Sequence, residues 1–137
     1  MKRALLDTNL YVDWMNTGLR EELLIGPGYV RLLSSVVLME LRAGANTKKA
    51  RSAVDRIARA YASGARITAP LSAIYGEAGD VLRALRRRGQ EVRRASLVND
   101  TLIALTARSQ GATVYTTDAA DFEAIREVRP FSLAMVS

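Results

Sequence analysis

Four carboxylates stand where the surrounding residues are apolar. Asp7 closes the run Ala4-Leu5-Leu6 and precedes Thr8-Asn9, small polar residues suited to a tight strand-to-helix turn. Glu40 sits inside Val36-Val37-Leu38-Met39-Glu40-Leu41, and Asp100 opens Asp100-Thr101-Leu102-Ile103-Ala104-Leu105-Thr106-Ala107. Asp118 follows Val114-Tyr115-Thr116-Thr117, with Asp121 three residues on. A carboxylate in such company is costly unless it is paired or bound to metal. Taken singly, each serves equally well as a helix N-cap or a salt-bridged structural acid. Gathered in one cleft they repel, two charges ~4 Å apart at a dielectric near 20 by about 4 kcal/mol, and a divalent cation reverses that sign. Oxygen donors alone select Mg²⁺ or Mn²⁺, which can orient and activate a water for phosphodiester hydrolysis. The remaining acids, Glu21, Glu22, Asp55, Glu77, Asp80, Glu91, Glu123 and Glu127, read as solvated charge, and Asp13 as a helix-turn or surface residue.

Composition narrows the chemistry further. The 137 residues include no His and no Cys, which excludes thiolate nucleophiles, zinc ribbons, iron–sulfur sites and an imidazole base. Twenty Lys and Arg against 14 Asp and Glu leave a net charge of +6, the sign expected of a domain with a polyanionic partner. Arg83, Arg86, Arg87, Arg88, Arg93 and Arg94, against Glu91 alone, carry +5 of it. A solvated helix end accounts equally well for Arg86-Arg87-Arg88, since cations are favoured at a helix C-terminus. The length and 49% hydrophobic content suit one domain over residues 1–137. No apolar run approaches the ~20 residues of a membrane span, and the start MKRALLDTN is unlike a signal peptide. The expectation is a soluble, cytoplasmic protein without membrane contact.

The elements that must position the acids alternate in type. Short strands are expected at 4–6, 66–69, 113–116 and 131–136, and 29–33 reads as a second strand or the lead-in to a helix. Helices are expected from a Ser34 or Ser35 cap to Ala43, from Thr47 to Gly64, from a Ser72 cap to Gly89, over 97–109 with Gly111 as its stop, and over 119–127. Strands separated by helical stretches of 10–20 residues argue for an α/β fold with a parallel sheet covered on both faces. Active sites in such folds lie beyond the carboxyl ends of the strands, where Asp7 and Asp118 fall.

Leu5-Leu6-Asp7-Thr8-Asn9, Ser35-Val36-Val37-Leu38-Met39-Glu40-Leu41-Arg42-Ala43-Gly44, Asn99-Asp100-Thr101-Leu102-Ile103-Ala104 and Val114-Tyr115-Thr116-Thr117-Asp118-Ala119-Ala120-Asp121-Phe122 resemble, in order and spacing, the motifs of PIN-domain ribonucleases. Among these the chain is most similar to the VapC toxins of toxin–antitoxin pairs, over residues 4 to 122. The resemblance implies a PIN-like three-layer α/β/α sandwich and a Mg²⁺- or Mn²⁺-dependent endoribonuclease acting on a transfer RNA or a ribosomal RNA loop. It implies catalytic, metal-holding roles for Asp7, Glu40, Asp100 and Asp118, with Asp121 a further metal candidate whose share relative to Asp118 stays open. Thr116 matches the hydroxyl residue of the Thr-x-Asp motif and Asn9 the amide of the Asp-Thr-Asn turn. Arg86, Arg87, Arg88, Arg93 and Arg94 would grip RNA. A VapB-like antitoxin and a second copy of the chain are the expected partners, and Trp14, Met15 and Leu19 with Leu23-Leu24-Ile25 form either the antitoxin groove or ordinary core. Two alternatives remain: a PIN nuclease of RNA processing, and a nucleic-acid-binding module without cleavage in which the acids are caps.

Overall fold

The computed structural model describes residues 1–137 as alternating strands and helices. β1 (Lys2–Leu6), β2 (Tyr29–Ser34), β3 (Ile67–Thr68), β4 (Thr113–Thr116) and β5 (Leu133–Met135) form one sheet in the order β3-β2-β1-β4-β5. All four pairings are parallel, with Leu5 facing Leu32 on one side and Val114 on the other. β1 and β4 are central, and Ala4, Leu5, Leu6 and Val114 are fully buried, as parallel strands covered on both faces must be.

The connections fix the layers. From β1 the chain steps outward to β2 through α1 (Thr8–Thr17) and α2 (Glu21–Ile25), then to β3 through α3 (Ser35–Gly44) and α4 (Lys48–Ser63). It then returns across the sheet to β4 through α5 (Ser72–Arg87) and α6 (Ala95–Ser109), and reaches β5 through α7 (Ala120–Val128). Right-handed crossovers running in opposite directions place their helices on opposite faces. Accordingly α1, α3 and α4 pack together, as do α5, α6 and α7, giving the three-layer α/β/α sandwich. The direction of winding reverses between β1 and β4, so the crevice at their carboxyl ends is the switch point where such folds bind ligands.

Local sequence explains most boundaries. Ser34 caps α3, its Oγ accepting from the amides of Val36 (3.1 Å) and Val37 (3.4 Å). Thr47 caps α4 through Ala50 N (3.1 Å), and Gly111 adopts a left-handed φ of 63° just past α6. Ser72 does not cap α5: Leu71 holds the N-cap position with no side-chain hydrogen bond. The closing strand is shorter than 131–136, because the backbone ladder to β4 engages only Leu133, Ala134 and Met135. α6 begins at Ala95, two residues before the apolar pattern, which moves Asp100 into its second turn. From Thr101 to Ala107 every residue of this helix is buried.

Candidate active site

At the carboxyl ends of β1 and β4 lies a cleft of about 390 Å³ lined by Asp7, Thr8, Asn9, Glu40, Arg94, Ser96, Asp100, Asp118, Ala120 and Asp121. Five of these residues are acids and one is a cation. The chain therefore brings together all five candidate acids, from the β1–α1 junction, α3, α6, the β4–α7 turn and α7.

Two of the acids, Asp7 and Glu40, are held by neutral donors of the protein. Asp7 is the N-cap of α1, its Oδ1 accepting from Thr8 N (2.8 Å), while its own amide donates to the Tyr115 carbonyl of β4 (2.9 Å). Its Oδ2 accepts from the buried Thr116 hydroxyl at 2.8 Å. The same hydroxyl oxygen accepts from Asp118 N (3.0 Å), so Thr116 couples the ends of β1 and β4. For Asp7 the capping and site readings coincide. Glu40, half-buried, accepts from the Thr8 hydroxyl at Oε1 (2.7 Å) and from Asn99 Nδ2 at Oε2 (3.3 Å). The carboxylates of Asp100 and Asp118 receive no hydrogen bond from any protein group and are open to the cleft. Asp118 is exposed at the rim rather than embedded in apolar residues, because β4 ends at Thr116 and the turn carries it outward.

The electrostatics follow from this crowding. Burial raises the pKa of Asp7, the Thr116 and Thr8 hydrogen bonds oppose it, and the charges of Glu40 and Asp118 raise it again, for a net upward shift. Asp100 has no compensating donor. Burial, then the charges of Asp7, Asp121, Glu40 and Asp118, push its carboxyl up to about 8.

Asp121 differs from the other four. Its two oxygens accept from Arg94, Oδ2 from Nη1 and Oδ1 from Nη2, both at 3.2 Å. That ion pair raises the Arg94 pKa, the hydrogen bond first and the Asp121 charge next. With the side chains so arranged, no three acids converge tightly enough to enclose an ion. Asp7 and Glu40 are drawn toward hydroxyls and Asp121 toward a guanidinium.

Of the five arginines expected to grip RNA, only Arg94 reaches the cleft. Arg86 and Arg93 border a neighbouring depression of about 310 Å³ with Gln90, Glu91 and Val92. Arg87 and Arg88 are exposed at the end of α5, where the helix dipole favours them, and Arg88 reaches Glu127 at 3.6 Å. Asn9 lines the cleft but makes no side-chain hydrogen bond to an acid. Thr8, Asn99 and Ser96 were not singled out from sequence, although their adjacency to Asp7, Asp100 and Arg94 is the signal that could have identified them. Among the acids read as solvent or surface charge, Asp13 pairs with Arg20 (2.9 Å), Asp55 with Arg42 (2.7 Å) and Glu77 with Arg129 (2.7 Å).

The apolar residues near α1 divide between the two expectations. Leu24 is buried in the core, Leu23 packs against it, and Leu19 and Ile25 are exposed. Trp14 and Met15 also pack against the core and at the same time border an open groove of about 460 Å³ between α1 and α4, with Ala53 and Ile57 opposite them and Glu21, Lys49 and Arg56 at its polar edge.

No curated protein matches the sequence. Solved structures share the fold over nearly the full length. A chain of VapBC2 from Rickettsia felis bound to a promoter DNA fragment aligns with TM-score 0.73 and 22% identity, covering 98% of this chain and 99% of that one. A chain of the DNA-bound VapBC from Salmonella typhimurium aligns with TM-score 0.71 and 24% identity, covering 98% of each chain. A chain of VapBC-5 from Mycobacterium tuberculosis aligns with TM-score 0.68 and 24% identity, covering 99% and 100%. Residues 4–128, the span that carries all five acids, match the PIN domain family, and the chain belongs to it.

Proposed function

We propose that this protein is a divalent-metal-dependent endoribonuclease, the toxin of a VapBC-type pair. The observation that carries the reading is the gathering of Asp7, Glu40, Asp100 and Asp118 at the switch-point cleft, two of them fixed by hydroxyl and amide donors and two without any protein partner. The donor set fits a hard cation: every donor is oxygen, and burial together with the charges of Asp7, Asp121, Glu40 and Asp118 pushes the Asp100 carboxyl up to about 8, a cost that a divalent cation would offset. Mg²⁺ or Mn²⁺ held by Asp7, Glu40, Asp100 and Asp118 would supply Lewis acidity at a phosphate and a more acidic bound water.

The chain's own residues do the positioning. Thr116 and Thr8 N present Asp7, and Thr8 Oγ1 with Asn99 presents Glu40, so their lone pairs are aimed before substrate arrives. Asp100 and Asp118 face the phosphodiester from α6 and the turn after β4. In hydrolysis, water oxygen bonds to phosphorus, one P–O bond to ribose breaks, and the proton lost by water passes to solvent or to the departing oxygen. The exposed arginines 86, 87, 88 and 93 follow the backbone of a transfer RNA or a ribosomal RNA loop, whose unpaired nucleotides can be splayed for cutting.

The likeness to VapBC chains supports a VapB-like antitoxin as partner, with the Trp14–Met15 groove between α1 and α4 as the place for an apolar helix face. A homodimer and a cytoplasmic location belong to the same reading. No helix of the chain is long and apolar enough to cross a membrane.

Induced expression in a bacterial host tests the proposal. Wild type should arrest growth and leave RNA cut at discrete positions, and Asp7→Asn should do neither. Equal arrest by the two proteins would remove the carboxylate site from the explanation, and would favour a binding module acting without cleavage.

A further inference from the structure

Resting on the nuclease reading above, a second device stands in the same cleft, the Arg94–Asp121 pair. Arg94 occupies the N-cap position of α6 and Asp121 the first turn of α7, so two chain segments 27 residues apart meet at the cleft wall. The contact is a fork on a carboxylate, two parallel N–H···O bonds of 3.2 Å, the geometry that fixes a guanidinium in orientation as well as place. Nη1 also donates to Ser96 Oγ at 3.3 Å. These contacts leave Nε–H and one Nη2–H without a protein partner, on a side chain that is 40% exposed while its Asp121 partner is 24% exposed.

Asp121 therefore has its charge satisfied by Arg94 and by the amino end of α7, where an acid is favoured. Asp118, three residues earlier, has neither. The first-turn amides of α6 lie beside Arg94 without a side-chain cap, which adds partial positive charge on the same wall. The cleft thus holds five acids and a single cation, and that cation is bonded to Asp121.

We propose that Asp121 is not a metal ligand but a positioning residue for Arg94, and that Arg94 with the amino end of α6 takes an RNA phosphate adjoining the cut bond. Asp118 alone then completes the metal-holding set with Asp7, Glu40 and Asp100. Arg94 donates its two free N–H groups to non-bridging phosphate oxygens while its remaining donors stay on Asp121 and Ser96. A lysine at this position has no planar fork, so it cannot hold Asp121 and a phosphate each through two parallel bonds.

The test compares wild type with Asp118→Asn, Asp121→Asn, Arg94→Ala and Arg94→Lys. Mn²⁺ binding is measured by calorimetry, and binding of a labelled single-stranded RNA by anisotropy in Ca²⁺, alongside cleavage kinetics in Mg²⁺. Asp118→Asn should weaken Mn²⁺ binding about tenfold or more, and Asp121→Asn by less than about threefold. Arg94→Ala should weaken RNA binding and raise KM about tenfold, with Arg94→Lys recovering only part of it, and Asp121→Asn should raise KM more than it lowers kcat. Loss of Mn²⁺ binding in Asp121→Asn as large as in Asp118→Asn overturns the assignment of Asp121. Unchanged RNA affinity and KM in Arg94→Ala overturn the assignment of Arg94. If wild type binds Mn²⁺ but neither binds nor cuts RNA, the nuclease reading fails and the phosphate role with it. If wild type cuts RNA while either overturning result appears, only the present inference fails.

Discussion

Removing the carboxylate of Asp100 should abolish cleavage and, in the metal-free protein, stabilise the fold. In the unfolded chain Asp100 ionises near 3.8, whereas in the folded chain it holds its proton to about 8. Between those values the folded state binds more protons than the unfolded one, so stability falls as pH rises through that window and levels off above it. A gap of about 4 units at about 1.4 kcal/mol per unit sets a ceiling near 6 kcal/mol. Part of that gap belongs to the mutual repulsion of Asp7, Glu40, Asp118 and Asp121, which relaxes as each adjusts, so about half, roughly 2–3 kcal/mol, is expected to appear. Asn has nearly the same shape and no charge. For a chain of this length the Asp100→Asn protein in EDTA should therefore melt about 5–10 °C higher than wild type at pH 8, the difference shrinking toward zero near pH 4. Thermal melts by circular dichroism at half-unit pH intervals measure this directly. Adding Mn²⁺ should raise the wild-type melting temperature at pH 8 and do much less for the variant. Parallel melting curves for the two proteins across pH 4 to 8, or a variant less stable at pH 8, would refute the argument that Asp100 is an uncompensated buried acid.

Other perturbations separate the parts of the structure. Thr116→Val leaves one buried oxygen of Asp7 without its donor, and should lower stability by about 1–3 kcal/mol in urea melts at neutral pH while reducing cleavage. Tyr61→Phe removes the partner of the buried Tyr11 hydroxyl, now 2.8 Å away, and should lower stability by a similar ~1–3 kcal/mol without changing Mn²⁺ affinity, since this pair lies outside the cleft. Replacing Arg86, Arg87 and Arg88 together by Ser should weaken RNA binding and reduce the slope of log affinity against log salt by about 2, at about 0.7 per phosphate contact on a single strand. A salt slope equal to wild type would mean that these arginines are only a solvated helix end.

Much of the architecture was legible because it rests on local signals. Thr47, Gly111 and the 3.6-residue pattern of Val54, Ile57 and Tyr61 act within one turn of where they stand, so the helices they bound lie where expected. α2 was not anticipated. It is five residues long, entered through Arg20 in a left-handed conformation (φ 59°) and held by the pairing of that arginine with Asp13, a contact with no one-turn signature. α1 was anticipated only as the turn that begins it, since its half-buried Val12, Trp14 and Met15 face different surroundings and blur the period. The acids were visible because a carboxylate at the end of an apolar strand or inside an apolar helix is conspicuous. What orients them was less so, because the partners of Glu40, Thr8 and Asn99, arrive from β1's end and from α6, and no spacing rule connects 8, 40 and 99. The Arg94–Asp121 fork was invisible for the same reason. It depends on how the segment after α5 returns over the sheet, which turns Arg94 inward while Arg93, its neighbour, remains exposed beside Glu91.

Cleavage of a labelled RNA by the purified wild-type chain, titrated with Mg²⁺ from an EDTA baseline beside Asp7→Asn, bears most directly on whether these carboxylates hold the ion that makes hydrolysis possible. Cutting should be absent in EDTA, rise with Mg²⁺ to saturation for wild type, and stay at baseline for Asp7→Asn at every concentration. Cleavage by wild type in EDTA, or equal cleavage by Asp7→Asn, would contradict it.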